Sequence, residues 1–445
     1  MIKKKWIDNE ESRFEYKFKN ILSKIFTPTQ TELLLRLKKV YKWSPEDIAS
    51  AITIRSVSPK AYRYLREKKN FPLPGMSTLR NWASTFSIEP GLLKNVMILL
   101  KAKGDTMSVN EKLTMISFDE TYVSNKICYD KKSEQIYGPA KCVQAVVLRG
   151  LVGSWKQPIY FDFDTPMSKE LLLHIISEVH NIGFKVVAMV SDMGPSNMGL
   201  WRDLGICTEN TWFKHPVEGT KVHVFADVPH LFKLARNHFL DNSVGFVLSD
   251  GKLIGKNILK EILRINKDQD FQVAYKLSEK HINVQGTARM NVKLAAHVFS
   301  NSVSKAILFC GEKNLINDCN WKEASEVIQL INDWFDLMNT QQKYDNHVAS
   351  YGLNENEQNE LLSKMNNFIL QMRVYGKNVL LPFQKGIIVT NKSVQNLLED
   401  LKDFGLSYIM TRKLNQDMVE NLFSYLKGMA GSAMNNISPI DFKYW

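Results

Sequence analysis

The chain has no long apolar run. Nothing in its 445 residues approaches the ~18 consecutive apolar residues of a membrane span, so no membrane partner is expected. Cysteine is scarce: Cys128, Cys142, Cys207, Cys310 and Cys319 are scattered, with no C-x-x-C pair. An odd number at wide spacing excludes a disulfide framework and points to reduced thiols in a cytosolic or nuclear setting. The phosphate-cradling loop G-x-x-x-x-G-K-[ST] is missing. Gly251-Lys252-Leu253-Ile254-Gly255-Lys256-Asn257 is too short for it, lacks the hydroxyl residue, and reads as a loop. There is no internal repeat or low-complexity tract. The basic start Met1-Ile2-Lys3-Lys4-Lys5-Trp6 leads into no apolar stretch, which excludes a secretory signal; the lysines fit nuclear import or plain solvated surface.

Acidic residues are also in deficit, 46 against 58 basic ones, for a net charge of +12. Such a balance favours an anionic partner, nucleic acid first among them. Apolar residues at 44% and charged residues at 23% are those of an ordinary globular chain of about two to four domains.

Residues 1–105 read as a helical front region. Thr31–Tyr41 carries leucines at 33, 34, 35 and 37. Ser44-Pro45-Glu46-Asp47 opens a second helix, with Ser44 as N-cap, Pro45 at the first helical position and Asp47 at N3. Phe71-Pro72-Leu73-Pro74-Gly75 breaks the chain, and a short helix with Arg80 and Trp82 follows. Helix, break and short helix, flanked by Arg55, Lys60, Arg63, Arg66, Lys68 and Lys69, resemble a helix-turn-helix unit for double-stranded DNA; a small packing domain has the same outline.

From 113 the periodicity turns to strands: Leu113–Phe118, Val143–Val152, Pro158–Phe163, Val186–Val190 and Val222–Ala226, with helices at Lys169–Asn181, Pro195–Leu204 and Pro229–His238. Three strands in meander followed by alternating units give an α/β fold with a mixed sheet over 106–240, an order that resembles the ribonuclease-H-like nucleases and integrases. Residues 241–400 are largely helical (Ile254–Ile265, Ala288–Phe309, Lys322–Met338, Asn356–Tyr375) and read as a large helical insertion, the sheet domain resuming at 401–445.

Two acids fall at predicted strand ends, Asp119 and Asp192, and a third, Glu420, on a late helix whose apolar stripe is Met418, Leu422 and Tyr425. Three such carboxylates are what two Mg²⁺ or Mn²⁺ ions need to activate a water or a 3′-hydroxyl against a phosphodiester. Each acid alone also fits a turn, a cap or a solvated helix charge. Asp227, before Pro229-His230 at a helix start, fits either a structural cap or a place beside the metals.

Four strings carry a resemblance. Ser117-Phe118-Asp119-Glu120, Ser191-Asp192-Met193-Gly194-Pro195-Ser196-Asn197, Phe225-Ala226-Asp227-Val228-Pro229-His230-Leu231-Phe232-Lys233-Leu234-Ala235-Arg236-Asn237 and Asn415-Gln416-Asp417-Met418-Val419-Glu420-Asn421-Leu422-Phe423-Ser424 resemble the P-element transposases, including the THAP-domain-containing transposases of animals. The resemblance runs from about residue 28 to the end. It implies a DDE transposase that cuts DNA and joins its 3′-hydroxyl to target DNA, with Asp119, Asp192 and Glu420 as catalytic metal ligands. It implies a nuclear protein acting on transposon ends and target DNA as a homo-oligomer, dimer or tetramer. It further implies GTP as a non-hydrolysed cofactor, with Phe335, Asp336 and Asn339 on the guanine and Asp270, Lys276, Val292, Ser300 and Asp417 as other contacts. The family's N-terminal zinc-binding domain has no counterpart here, and the chain stops soon after Glu420 where relatives continue. A domesticated, DNA- or GTP-binding derivative is the alternative reading. A nuclease of RNA–DNA hybrids is a third, which leaves the insertion and the front helices unexplained.

Overall fold

The computed structural model describes residues 17–444 apart from 19, 24, 36–41, 86–87, 242–244, 268–271, 346–347 and 430–435. The chain forms two compact units that divide between Ile88 and Glu89.

The first unit contains α1 (Pro28–Leu34), α2 (Pro45–Val57), α3 (Pro59–Arg63, running on through a π-turn, Tyr64–Lys68) and α4 (Met76–Thr85). Ser44 caps α2 as expected: its hydroxyl accepts from the Asp47 amide, and Asp47 accepts from the Ser44 amide at 2.8 Å. Asp47 is fully buried and also takes the hydroxyl of Thr27, the cap of α1. Ile48, Ala51, Tyr62, Leu73 and Leu79 form the core. The Tyr62 hydroxyl donates to the Pro74 carbonyl at 2.7 Å and so pins the proline-rich break. α1 begins at Pro28, earlier than the leucine pattern places it, and the expected stretch beyond Leu35 lies outside the described residues. On the short helix α4, Trp82 packs half-buried against the core, whereas Arg80 is exposed.

The second unit opens with β1 (Gly91–Leu92) and α5 (Lys94–Gly104). β2 (Leu113–Tyr122), the small hairpin β3 (Cys128–Asp130) and β4 (Gln135–Tyr137), β5 (Cys142–Gly150), β6 (Lys156–Phe163), α6 (Lys169–Asn181), β7 (Lys185–Ser191), α7 (Pro195–Asp203), β8 (Trp212–Lys214), β9 (Lys221–Ala226) and α8 (Val228–Leu240) follow. Seven strands form one sheet in the order β1-β6-β5-β2-β7-β9-β8. β2 pairs antiparallel with β5 and parallel with β7, and β7 pairs parallel with β9. This is the mixed sheet the pattern predicts. β7 is buried from Val186 to Ser191, which is why its sequence shows no alternation. Because β1 pairs with β6 and Leu93 donates to Ile159, residues 89–105 fold with the sheet and not with the front helices, correcting the expected boundary at 105.

The inserted region holds β10 (Phe246–Val247), β11 (Leu253–Ile254), α9 (Lys256–Lys267), α10 (Glu279–Ile282), α11 (Val292–Val298), α12 (Asn301–Glu312), α13 (Trp321–Leu337), the hairpin β12–β13 (Tyr344–Asp345, Val348–Ala349), α14 (Glu355–Gln371) and β14 (Arg373–Val374). The glycine-lysine segment at 251–257 is the turn and second strand of the β10–β11 hairpin, with Gly251 at φ +81°, followed by the first residues of α9. The helix expected over 288–309 is broken in two, because the Ser300 hydroxyl accepts from Val303 and caps α12. α14 ends at Gln371, short of the expected Tyr375, where the chain turns into β14 to pair with β10.

Three helices complete the unit: α15 (Pro382–Lys402), α16 (Asp417–Met429) and α17 (Pro439–Tyr444). α15 falls in the expected insertion yet packs on β9 and α8. Thr390 accepts from the Ala226 amide at 3.0 Å and Ser393 donates to the Val224 carbonyl at 2.6 Å. At Gly386 an added Cβ would lie 2.7 Å from the Leu231 side chain and 3.1 Å from that of Ala226, so a larger residue would have to push them aside. α17 docks through Lys443, whose buried ammonium donates to Asp130 (2.9 Å), Glu89 (2.8 Å) and the Tyr137 hydroxyl (2.9 Å). No helix among the described residues is long and apolar enough to cross a membrane.

Candidate active site

Asp119 does not end β2: the strand runs three residues further, paired with β5. What ends there is the parallel partnership, whose last pair is Ser117 with Val190. Asp119 and Asp192 thus emerge side by side where β7 stops and β2 continues. Asp192 is fixed by a turn: one carboxylate oxygen accepts from the Gly194 amide at 2.9 Å and the Asn197 side chain at 2.5 Å. A Cβ on Gly194 would come within 3.1 Å of that oxygen. Behind it, the Trp201 indole donates to the Ser191 hydroxyl at 2.9 Å and holds α7 on the strand end.

Glu420 is brought by α16 near enough for its charge to act on Asp119. The helix's buried face is Met418, Val419, Phe423 and Leu426, turned from the expected Met418–Leu422–Tyr425 stripe; Tyr425 is exposed. Gln416, at the head of the helix, is the clamp. Its side chain donates to the Phe118 carbonyl at 2.6 Å, and its amide donates to Asp227 at 2.8 Å. Its own carbonyl accepts from the Glu420 amide at 3.1 Å. One buried residue therefore ties Glu420 to the residue preceding Asp119. Asp227 spends its second oxygen on the His230 amide at 2.9 Å, capping α8. Both its oxygens serve the framework.

The three acids share one field. Burial pushes the Asp119 carboxyl up to about 7; the Glu120 amide opposes this, and Asp192, Glu420 and Asp227 add to it. Burial likewise raises Asp227 to about 7, with Glu420 adding, while the Gln416 and His230 amides oppose. His230 is held below its usual value by burial and by Lys233, with Asp192 opposing, so it is neutral near pH 7. The buried ammonium of Lys233, on α8, lies 4.0 Å from Glu420. Sequence reasoning gave Lys233 and Gln416 no role, and neither a lysine inside a helix nor a glutamine before one carries a distinguishing pattern.

Among the described residues no three His, Cys, Asp or Glu side chains stand close enough together to hold one ion. The donor set nonetheless suits a hard divalent cation, being all carboxylate oxygen and costly to ionise together without a counter-charge.

The residues expected around a guanine nucleotide divide. Phe335, Asp336 and Asn339 sit together at the end of α13. Phe335 is buried and stacks on Phe232 with ring centroids 3.9 Å apart. A base would have to displace that contact. Asp336 is exposed and accepts from Asn332 at 2.9 Å. Ser300 is engaged as the α12 cap, Val292 begins α11, and Lys276 is exposed over the Tyr275 ring. Asp270 lies outside the described residues. Asp417 stands apart in a cavity on the flank of α16, accepting from Arg412 at 3.0 Å. The α13 end is tied to the turn before α16 by Thr340 and Thr411, whose hydroxyls lie 3.0 Å apart.

Three family models match: the transposable element P transposase-like HTH domain over 9–82, the TNP-like RNase H N-terminal domain over 88–205 and the TNP-like GTP-binding insertion domain over 229–351. The transposable element P transposase of Drosophila melanogaster is 38% identical over 428 residues, covering 95% of this chain and 56% of that protein. The human DNA transposase THAP9 is 23% identical, covering 89% of this chain and 48% of that protein. The chain thus spans about half the length of the curated relatives it matches. A solved structure of the Drosophila P element transposase strand transfer complex superposes with a TM-score of 0.86 at 37% identity, covering 97% of this chain and 96% of that one. With sheet order, front helices and insertion all in agreement, the chain belongs to the P-element transposase family.

Proposed function

We propose that this chain is the core of a DDE-type DNA transposase that cleaves DNA at element ends and transfers the 3′-hydroxyl to target DNA. The observation that carries the reading is the meeting of Asp119 and Asp192 at the end of one parallel strand pair with a helix that Gln416 clamps beside them. Asp119, Asp192 and Glu420 hold the divalent metals. When bound, Mg²⁺ or Mn²⁺ supplies an activated water or 3′-hydroxyl and neutralises the leaving oxygen. Burial keeps Asp119 averse to charge without a cation, while the Asp192 turn fixes one ligand before the metal arrives. Lys233 balances Glu420 until then. Asp227 and Gln416 are positioning residues.

In this reading residues up to 88 form the helix-turn-helix DNA-binding unit, 89–240 and 382–445 the ribonuclease-H-like domain, and 241–381 the guanine-nucleotide-binding insertion. Asp336 accepts from the guanine N1–H and N2–H, with Asn339 beside it and Phe335 turning from Phe232 onto the base. Ser300, Val292, Lys276 and Asp270 supply further contacts, and Asp417 acts from the α16 side. The protein works in the nucleus as a homo-oligomer on transposon and target DNA.

The deciding experiment follows cleavage and joining of labelled DNA bearing element ends, with Mg²⁺ or Mn²⁺, with and without GTP. Wild type should give metal-dependent products. Glu420→Gln should give none while binding DNA as tightly. Binding without products in wild type would favour the domesticated reading.

A further inference from the structure

The cavity on the flank of α16, about 310 Å³, is not among the carboxylates. Arg149, Lys156, Arg412, Asp417, Gln341 and Asn421 line it. Arg149 stands directly opposite Lys156 in the β5–β6 ladder, so the two side chains share one face of the sheet. Like charges at such a position cost stability. Arg412 adds a third cation, and Asp417 is the one carboxylate in the lining. It pairs with Arg412 at 3.0 Å and also bears on Arg149, so a single carboxylate faces three cations. A fourth cation, Lys413, has its ammonium occupied by the carbonyls of Leu151, Val152 and Gly153 and holds the β5–β6 turn against the wall. Arg149 is itself oriented, donating to the Arg412 carbonyl at 3.2 Å. A built, partly buried basic wall beside the helix that bears Glu420 calls for an anion of fixed position.

We infer that Arg149 and Lys156, with Arg412, form a phosphate-binding site that takes the backbone of a nucleic-acid strand running along the flank of α16. The ligand chemistry is a phosphate or phosphodiester oxygen, recognised by guanidinium and ammonium groups. The site rests on the proposed action on DNA and deepens it: a strand held there runs between the β5–β6 face that carries Arg149 and Lys156 and the helix that bears Glu420. A nucleotide triphosphate offers the same chemistry, so the two sources are tested apart.

The test uses the full chain and Lys156→Glu, with Lys156→Ala beside it. Affinity for a duplex of arbitrary sequence is measured against salt, affinity for GTP separately, and the melting temperature in each case. Lys156→Glu replaces a repulsive cross-strand pair by an attractive one, so its Tm should equal or exceed that of wild type. Its DNA affinity should fall, and the slope of log K against log salt should shrink by about 1, the loss of one phosphate contact. GTP affinity should not change. A fall in GTP affinity with DNA binding intact would keep the phosphate site and assign it to the nucleotide. Unchanged affinity for both ligands in both variants, or a lowered Tm in Lys156→Glu, would overturn the site. If the wild-type chain binds no DNA, the functional reading fails, and the strand assignment with it.

Discussion

Replacing Asp227 separates the two roles its sequence position left open. Its carboxylate is buried and accepts the amides of Gln416 at 2.8 Å and His230 at 2.9 Å. Asp227→Ala removes the α8 cap, worth about 0.5–2 kcal/mol, and leaves the buried Gln416 amide unpaired, about 1–3 kcal/mol more. Relief from burying a charge opposes both, so the net loss should be about 1–4 kcal/mol. In a unit of this size, with an unfolding entropy of about 2.1 cal/mol/K per residue, that is a fall of about 1–5 °C in Tm. Asp227→Asn keeps one acceptor but turns an NH₂ towards the second amide, and should lose about 1–3 kcal/mol. Cleavage should fall in both variants by about ten- to a hundredfold, because Glu420 remains but the head of α16 loosens. Denaturation and strand cleavage are measured on the same preparations. If Asp227→Asn folds as stably as wild type yet cleaves nothing, Asp227 is a reacting or metal-binding group and the positioning argument is wrong.

Asp336→Ala should weaken GTP binding at least about tenfold, since it removes a charged acceptor from two base donors; equal GTP affinity in the two proteins refutes the guanine placement. Gly311→Ala would drive a Cβ to within 2.2 Å of the Trp321 indole where α12 packs on α13, and should destabilise by about 1–3 kcal/mol in chemical denaturation. Lys443→Met should be costly near neutral pH, by about 3–5 kcal/mol, because it strands the buried Asp130 charge. Burial raises the Asp130 carboxyl, but hydrogen bonds from Ser133, Lys443 and Tyr444 outweigh it and hold it well below the ordinary range. The stability it contributes is therefore present above the unfolded value of about 4 and is lost as pH falls towards the folded one. The gap between wild type and Lys443→Met should narrow in acid; an equal gap at pH 7 and pH 3 contradicts this.

Much of this architecture is written in local patterns. The unbroken apolar run Val186–Val190 announces a strand covered on both faces, and Ser44-Pro45-Glu46-Asp47 announces a capped helix. Asp119 and Asp192 could be singled out because each follows a short apolar run. α15 was hard to read for a physical reason: from Gly386 to Asn391 it is buried all round, with the polar Thr390, Asn391 and Ser393 inside, so polar residues there do not mark the solvent face. The break at Ser300 was hidden because apolar spacing continues across the cap. The Gln416 clamp joins residues almost 300 positions apart, and the Arg149–Lys156 wall depends on strand register; neither spacing can be read along the chain.

The position of the clamp also sets the order in which the enzyme can come into being. Asp192 and Glu420 are separated by 420 − 192 = 228 positions, most of them the inserted region and α15. A ribosome at about 5–20 residues per second needs tens of seconds at the slower end to make that stretch. Until α16 emerges and Gln416 reaches Phe118, a nascent chain carries two of the three acids on a sheet that lacks the helix bearing the third. If the three acids act together as proposed, the chain is inert as a nuclease while unfinished, and closing so long a loop costs only a few kcal/mol because the entropy grows with the logarithm of its length. Late delivery of Glu420 is a safeguard that comes from topology alone.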